Sequence, residues 1–378
     1  MSKSILISLI GKETIHNYRA YKEFAPDVLV HVYSEESKTS EAILANLVQP
    51  YTQLIPVKVD ANNFYGILET LEAKVTIAPS DYVTINLTGG TKMMALASYA
   101  FANALKVNHS VRKCYIDLDQ NIRWFEEENQ FDTFTEQLTL DELIALSGQK
   151  LYKNQQYDSI YPLCGQALSE IEPLIYSKNW KKFLENVVTP CVKEYDKRKG
   201  KEPILKIAQR LQSNGAFNFF DVFWEDSTFK VLKDGTPFLA LDLSVGNVSW
   251  LIFFGGYFEL MVAKAYAQHY PSKDIYLSVI FPALSNQKQE KNEVDVLIND
   301  GGKLLFIECK SGRVSSANIN TIKVRKETYG GLIGQSVLVT RFPLNKNVTH
   351  DQFIIEKCKE LDVSYTTLEK IKNENSFS

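Results

Sequence analysis

The sequence predicts an α/β protein in two parts, a doubly wound and mainly parallel sheet first and a second α/β domain with a β-rich end. Three observations carry this. Apolar strand-like runs alternate with helix-spaced stretches over residues 1–120, a two-glycine turn joins one such run to an alanine-rich helix, and a hairpin signal at Asn299–Gly302 sits between two alternating runs. The chain has 378 residues, beyond the ~250–300 at which a single core stops growing, so two domains are expected.

In chain order, strands are expected at Ile5–Ile10, Val28–Tyr33, Leu54–Val59, Tyr82–Leu87 and Lys113–Leu118. Helical spacing between them implies βαβ units. Ligands of such sheets gather outside the carboxyl ends of the strands, here the turns Gly11–Thr14, Ser34–Ser37, Asp60–Asn63 and Thr88–Lys92. A hairpin follows through Arg123–Phe125, then a helical pattern from about Leu140 to Gln212, broken by Pro162, Pro173 and Pro190. The charged segment Lys193–Pro203 reads as an exposed connector. Short strands at Phe217–Phe223, Phe229–Leu232 and Phe238–Leu243 lead to one helix, Val248–His269, and a β-rich end. The expected division is 1–140, a helical connector over 141–215, and 216–378.

Apolar residues at 45% and charged residues at 23% are ordinary globular values, which excludes a disordered or fibrous chain. A net charge of −3 excludes a global basic field, so a nucleic-acid partner must be met by a local patch. The basic side chains of Lys323, Arg325 and Lys326 are candidates, although a charge run is usually a solvated face, and Tyr329 is a core residue before it is a base-stacking ring. Five scattered cysteines without a C-x-x-C pair argue against a zinc site or disulfide framework and for a reducing cytoplasm. No apolar run is long enough for a membrane span or a targeting segment.

A turn that opens a helix points free N–H groups and the positive dipole end at what lies before it, which favours phosphate. Gly89 and Gly90 allow close backbone approach, Thr88 and Thr91 add hydroxyls, and Lys92 adds charge. The spacing is not that of a Walker A loop. A tight strand-to-helix link with no ligand is the plainer alternative.

The second constellation is Asn292–Gly312. If Ile298 lies opposite Lys303, alternation puts Glu293, Asp295, Glu308 and Lys310 on one surface. Asp295 and Glu308 would repel unless a proton or cation intervenes. Oxygen donors select Mg²⁺ or Mn²⁺, with the Cys309 carbonyl as a further ligand, and such an ion would polarise a phosphoryl oxygen. Lys310 is placed to orient water or to stabilise transition-state charge. Glu259, alone in an apolar helix, needs a partner, either Lys310 or a metal-bound water. Ordinary surface ion pairs are the competing reading.

Asp295 followed by Glu308-Cys-Lys310 resembles the PD-(D/E)xK restriction-endonuclease-like signature, with Glu259 in the place of that family's helix glutamate and Val294-Asp295 where proline-aspartate is usual. The Leu87–Lys92 turn resembles the CARF domain of type III CRISPR effectors, a Rossmann-like sensor of cyclic oligoadenylates. Together they resemble the CRISPR ancillary nucleases activated by cyclic tetra-adenylate. The resemblance implies a CARF domain over 1–140 and a nuclease domain over 216–378, acting as a homodimer on single-stranded DNA, RNA or supercoiled DNA. It also implies ligand contacts from Gly11, Thr14, Thr88, Gly89, Gly90, Thr91 and Lys92. Three alternatives stand beside it: a ligand-responsive regulator that binds nucleic acid without cutting, a HEPN-type ribonuclease, for which the required arginine-histidine spacing is absent, and an ordinary phosphate-binding enzyme.

Overall fold

The computed structural model describes residues 2–127, 130–217, 219–225, 227–242, 247–282, 292–331 and 334–373. Leu243, the expected end of a strand, lies outside them. The chain forms two compact units, the first from Met1–Leu151 with Asn299–Leu304 and Lys326–Gly334, the second from the remainder.

In the first unit β1 (Ser4–Leu9), α1 (Ile15–Phe24), β2 (Val28–Tyr33), α2 (Lys38–Ala45), β3 (Gln53–Lys58), α3 (Phe64–Lys74), β4 (Tyr82–Asn86), α4 (Lys92–Leu105) and β5 (Ser110–Ile116) alternate. β6 (Asn121–Trp124), β7 (Phe131–Thr133) and α5 (Leu140–Leu146) follow. The sheet order is β3-β2-β1-β4-β5-β6-β7, with β1 to β5 parallel and the last two strands antiparallel. Near-continuous apolar strands such as Ile5–Leu9 are buried on both faces, as helices on either side of a parallel sheet require. Chain order reverses between β1 and β4, and this switch point is where such a sheet opens a ligand crevice. Ala97, Ser98 and Ala102 of α4 are fully buried, the small residues letting the helix lie close on the sheet.

The second unit contains β8 (Lys153–Gln156), α6 (Tyr157–Ile171), α7 (Lys178–Phe183), α8 (Thr189–Lys197) and α9 (Ile204–Ser213). A small sheet of β9 (Asp221–Glu225), β10 (Thr228–Lys233) and β11 (Thr236–Asp242) comes next, then α10 (Val248–Phe253) and α11 (Gly256–Tyr266). β12 (Ile275–Phe281), β13 (Asn292–Asn299), β14 (Leu304–Lys310), α12 (Ser316–Tyr329), β15 (Gln335–Thr340), α13 (Thr349–Glu360), β16 (Ser364–Thr367) and α14 (Leu368–Asn373) complete it. The larger sheet runs β16-β15-β14-β13-β12-β8. Its edge strand β8 is all polar, Lys-Asn-Gln-Gln, which is why no hydrophobic pattern announces it.

Several expectations are corrected here. The helices of 157–213 are no separate connector, since Leu168, Trp180, Phe183, Cys191 and Ala208 belong to the second unit's core. Lys193–Pro203 is exposed as expected over Asp196–Lys201, but its first half is the end of α8, and it is tied by Arg198–Glu194 at 3.0 Å and Arg210–Glu202 at 2.8 Å. Pro162 lies inside α6 without ending it. Pro190 sits in the first turn of α8, directly after a π-helical turn at Leu184–Val188. That wider turn is a usual way for a helix to absorb a local irregularity. The helix expected over 248–269 is two helices, because Gly255 adopts φ +81° between them.

Candidate functional site

The second unit's β13 and β14 are joined by the turn expected from Asn299–Gly302, a segment grouped with the first unit. The Asp300 N–H donates to the Lys303 carbonyl (3.0 Å), a tighter closure than Ile298 opposite Lys303. The grouping survives, because a shift of two residues preserves facing. Lys310 Nζ lies 2.6 Å from Glu308 Oε1 and 3.5 Å from Asp295 Oδ2, and donates to the Cys309 carbonyl at 3.2 Å. One ammonium thus stands among all three oxygen groups expected to bind a cation. The Cys309 N–H donates to Asp295 Oδ2 (2.8 Å), which ties the two strands at the site.

Glu259 enters from the first turn of α11. Its carboxylate accepts a bond from Ser278 Oγ at 3.4 Å. The β12–β13 register on either side places Ser278 opposite Asp295. Burial pushes the Glu259 carboxyl well above the ordinary range, and the charges of Asp295 and Glu293 add to this. Burial and then the Glu308 charge push Asp295 up to about 6. For Lys310 burial alone would lower the pKa, but Asp295 and Glu308 outweigh it and the net shift is upward. The Cys309 thiol is raised by burial, so the residue offers its carbonyl rather than a thiolate.

Two residues on α12 complete the site, and sequence pattern alone gives them no such role. Asn318 Nδ2 donates to Glu308 Oε1 (3.4 Å) and Arg325 Nη1 lies 3.5 Å from Oε2. Seven residues apart, they share one face two turns along the helix. Arg325 is therefore turned to Glu308. Lys326 and Tyr329 are buried, so the core reading of Tyr329 holds. Among the described residues no three acidic, histidine or cysteine side chains surround one point, and the donor set here is two carboxylates and one carbonyl.

In the first unit, the turns after β1 and β4 touch at the switch point. A Cβ on Gly11 would stand 2.9 Å from Gly90 N, and one on Gly89, at φ +95°, would stand 2.5 Å from the Leu9 carbonyl. Only glycine allows this packing. The expected hydroxyls are engaged inside the fold. Thr14 Oγ1 donates to Leu146 O (3.0 Å), Thr88 Oγ1 accepts from the Ile116 N–H (2.6 Å), and Thr91 Oγ1 donates to Ala61 O (2.6 Å) while capping Met94 N–H. What remains to face a ligand is the backbone of Gly89–Lys92, the first turn of α4 and the exposed Lys92 side chain. Sequence reasoning missed Asn86, whose Oδ1 accepts the Thr88 N–H, and Asn17, whose Nδ2 donates to Leu9 O. Both buried amides shape the turns from below. A groove of about 730 Å³ lined by Lys58, Asp60, Asn62, Asn63 and Gly66 opens past β3, its Ala61 wall bonded to Thr91.

Residues 5–143 match the family model of the Card1 CARF domain. Over 98% of its length the chain matches the structure of Can2 from Sulfobacillus thermosulfidooxidans in complex with cyclic tetra-adenylate, covering 97% of that chain with TM-score 0.62 and 17% identity. Protein VC1899 from Vibrio cholerae matches over 98% and 95% of the two chains, with TM-score 0.67 and 16% identity. A type III CRISPR defence DNA nuclease activated by cyclic oligoadenylate matches with TM-score 0.52 and 15% identity, over 89% of this chain but 45% of that longer one. At such identities the likeness is one of fold, and no curated protein matches in sequence. Residues 5–143 thus match a CARF domain of the Card1 type, and the whole chain shares the two-domain α/β fold of these solved structures.

Proposed function

We propose that the chain is a metal-dependent endonuclease of type III CRISPR defence, switched on when its CARF domain binds a cyclic oligoadenylate, cyclic tetra-adenylate in particular. The observation that carries the nuclease half is the convergence of Asp295, Glu308 and the Cys309 carbonyl on one cationic centre, the Lys310 ammonium. This all-oxygen set fits Mg²⁺ or Mn²⁺, which those three residues would hold. When bound, such an ion supplies Lewis acidity toward a phosphoryl oxygen and a more acidic water.

The protein's own groups do the rest. Lys310 sets a fixed positive charge where negative charge develops on phosphorus-bound oxygen. Burial raises the Glu259 carboxyl well above the ordinary carboxylate range, so it holds a proton to higher pH than a free carboxylate does. Asn318 and Arg325 hold both oxygens of Glu308 in place. In the CARF half, the Gly89–Lys92 backbone, Gly11 and Lys92 would meet phosphates, with Thr14, Thr88 and Thr91 supporting the turns. A two-fold ring calls for two such turns, hence a homodimer, with cytoplasmic single-stranded DNA, RNA or supercoiled DNA as substrate.

The test is a cleavage assay on these three substrates, with and without cyclic tetra-adenylate and Mn²⁺. Cutting that requires both additives is expected, and Glu308→Ala and Lys310→Ala should each lower it by at least about 100-fold while ring binding stays intact. A wild-type protein inert on every substrate would leave the non-cutting regulator as the better reading.

A further inference from the structure

Immediately beyond β15 the chain carries a pair of exposed rings that core packing does not explain. Phe342 is 48% and Tyr176 50% exposed, and their centroids lie 5.8 Å apart at 76°. The Arg341 guanidinium sits 4.6 Å from the Phe342 centroid and is held by a bond from Nη1 to the Ile175 carbonyl (3.1 Å). Thr340 Oγ1 donates to the Phe342 carbonyl (2.8 Å), fixing the backbone that presents the ring. Rings half in water yet fixed this firmly are placed for something that arrives.

Their position says what. Thr340 pairs with Lys310 in the parallel ladder, and the Arg341 N–H donates to the Lys310 carbonyl at 3.2 Å. The ring pair therefore begins two residues past the strand position paired with Lys310, the residue whose ammonium would meet a scissile phosphate. We propose that Phe342, Tyr176 and Arg341 form a base-stacking platform that takes an unpaired base of the single strand being cut. The proposal deepens the nuclease reading of this site and rests on it. Flat aromatic faces accept any base, and an adjacent guanidinium adds a cation–π contribution and phosphate attraction. A base paired inside a duplex keeps its faces stacked and cannot lie on a ring, so the platform selects single strands. A docked protein fits less well, because the exposed segment Asn345, Lys346 and Asn347 close by is polar.

The test uses the full chain with cyclic tetra-adenylate in EDTA, which keeps strands intact, and short DNA and RNA single strands carrying one 2-aminopurine at successive positions. Wild-type protein should quench the fluorophore at one position on each strand type, and Phe342→Ala and Tyr176→Ala should remove that quenching and weaken binding about tenfold. Phe342→Trp should restore both where Phe342→Leu does not, and an abasic site at that position should erase the difference between wild type and Phe342→Ala. Unchanged quenching in Phe342→Ala, rescue by leucine, or equal quenching of a blunt duplex would overturn the platform. The separate cleavage assay with Mn²⁺ keeps the two readings apart. Quenching without any cutting defeats the nuclease reading alone, and cutting with unchanged quenching in the variants defeats the platform alone.

Discussion

Asp295 shows how strongly the fold bends single-residue chemistry. Its pKa of about 6 against an ordinary 3.8 means that the native state holds the proton more tightly than the unfolded chain. The stabilisation from that proton is complete below about pH 4 and lost as pH rises through about 6. Above that range a buried charge persists, a cost on the order of 1–3 kcal/mol for a shift of this size. Asp295→Asn should therefore melt several degrees higher than wild type at pH 8 and show no advantage at pH 4. Equal midpoints at pH 8 would show that Lys310 already compensates the charge. Added Mn²⁺ should raise the wild-type midpoint and leave the asparagine variant where it was. The residue types at Asp295, Glu308 and Lys310 are legible because alternation along two strands fixes their common facing. The bonds that Thr14, Thr88 and Thr91 make to Leu146, Ile116 and Ala61 were not legible, since a hydroxyl in a turn looks the same whatever distant backbone group it meets.

Elements are set by a few close approaches. A Cβ on Gly256 would come within 2.2 Å of the Trp250 ring, so the start of α11 and with it Glu259 depends on a bare backbone there. Gly256→Ala should destabilise the second unit by about 1–3 kcal/mol through overpacking, measured as a lower denaturation midpoint. Wild-type stability in that variant would mean that the ring can rotate away. Gly89→Ala meets both a backbone oxygen and a left-handed φ, so it should damage the first unit, whereas Lys92→Ala should weaken cyclic tetra-adenylate binding and leave the melting temperature unchanged. The first five strands and their mainly parallel pairing are legible from their apolar rhythm, while their order in the sheet is not. The split between α10 and α11 and the polar strand β8 are not, because a glycine inside an apolar run and a strand without apolar residues give no periodic signal.

For the molecule as a whole, two units with separate cores, each with its own proposed ligand, imply two stability responses. Calorimetry should show cyclic tetra-adenylate raising the transition of the CARF-containing unit by mass action, while Mn²⁺ acts on the other. A single transition shifted equally by both would mean that the units unfold as one. Charge and composition place no field over the chain as a whole, and among the described residues no helix is long and apolar enough to cross a membrane.

By itself the sequence determined the parallel sheet, the glycine turn at a helix start and the common facing of Asp295, Glu308 and Lys310. These follow from short-range rules: period-two alternation, the freedom of glycine and the order of strands. Only the tertiary structure decided that Asn318 and Arg325 grip Glu308, that Ser278 partners Glu259, that the hydroxyls of Thr14, Thr88 and Thr91 bond to distant backbone groups, and that Phe342 follows the strand position paired with Lys310. Each of those depends on segments far apart in sequence, and nothing in a local pattern records which distant side chain folding will bring to a given oxygen.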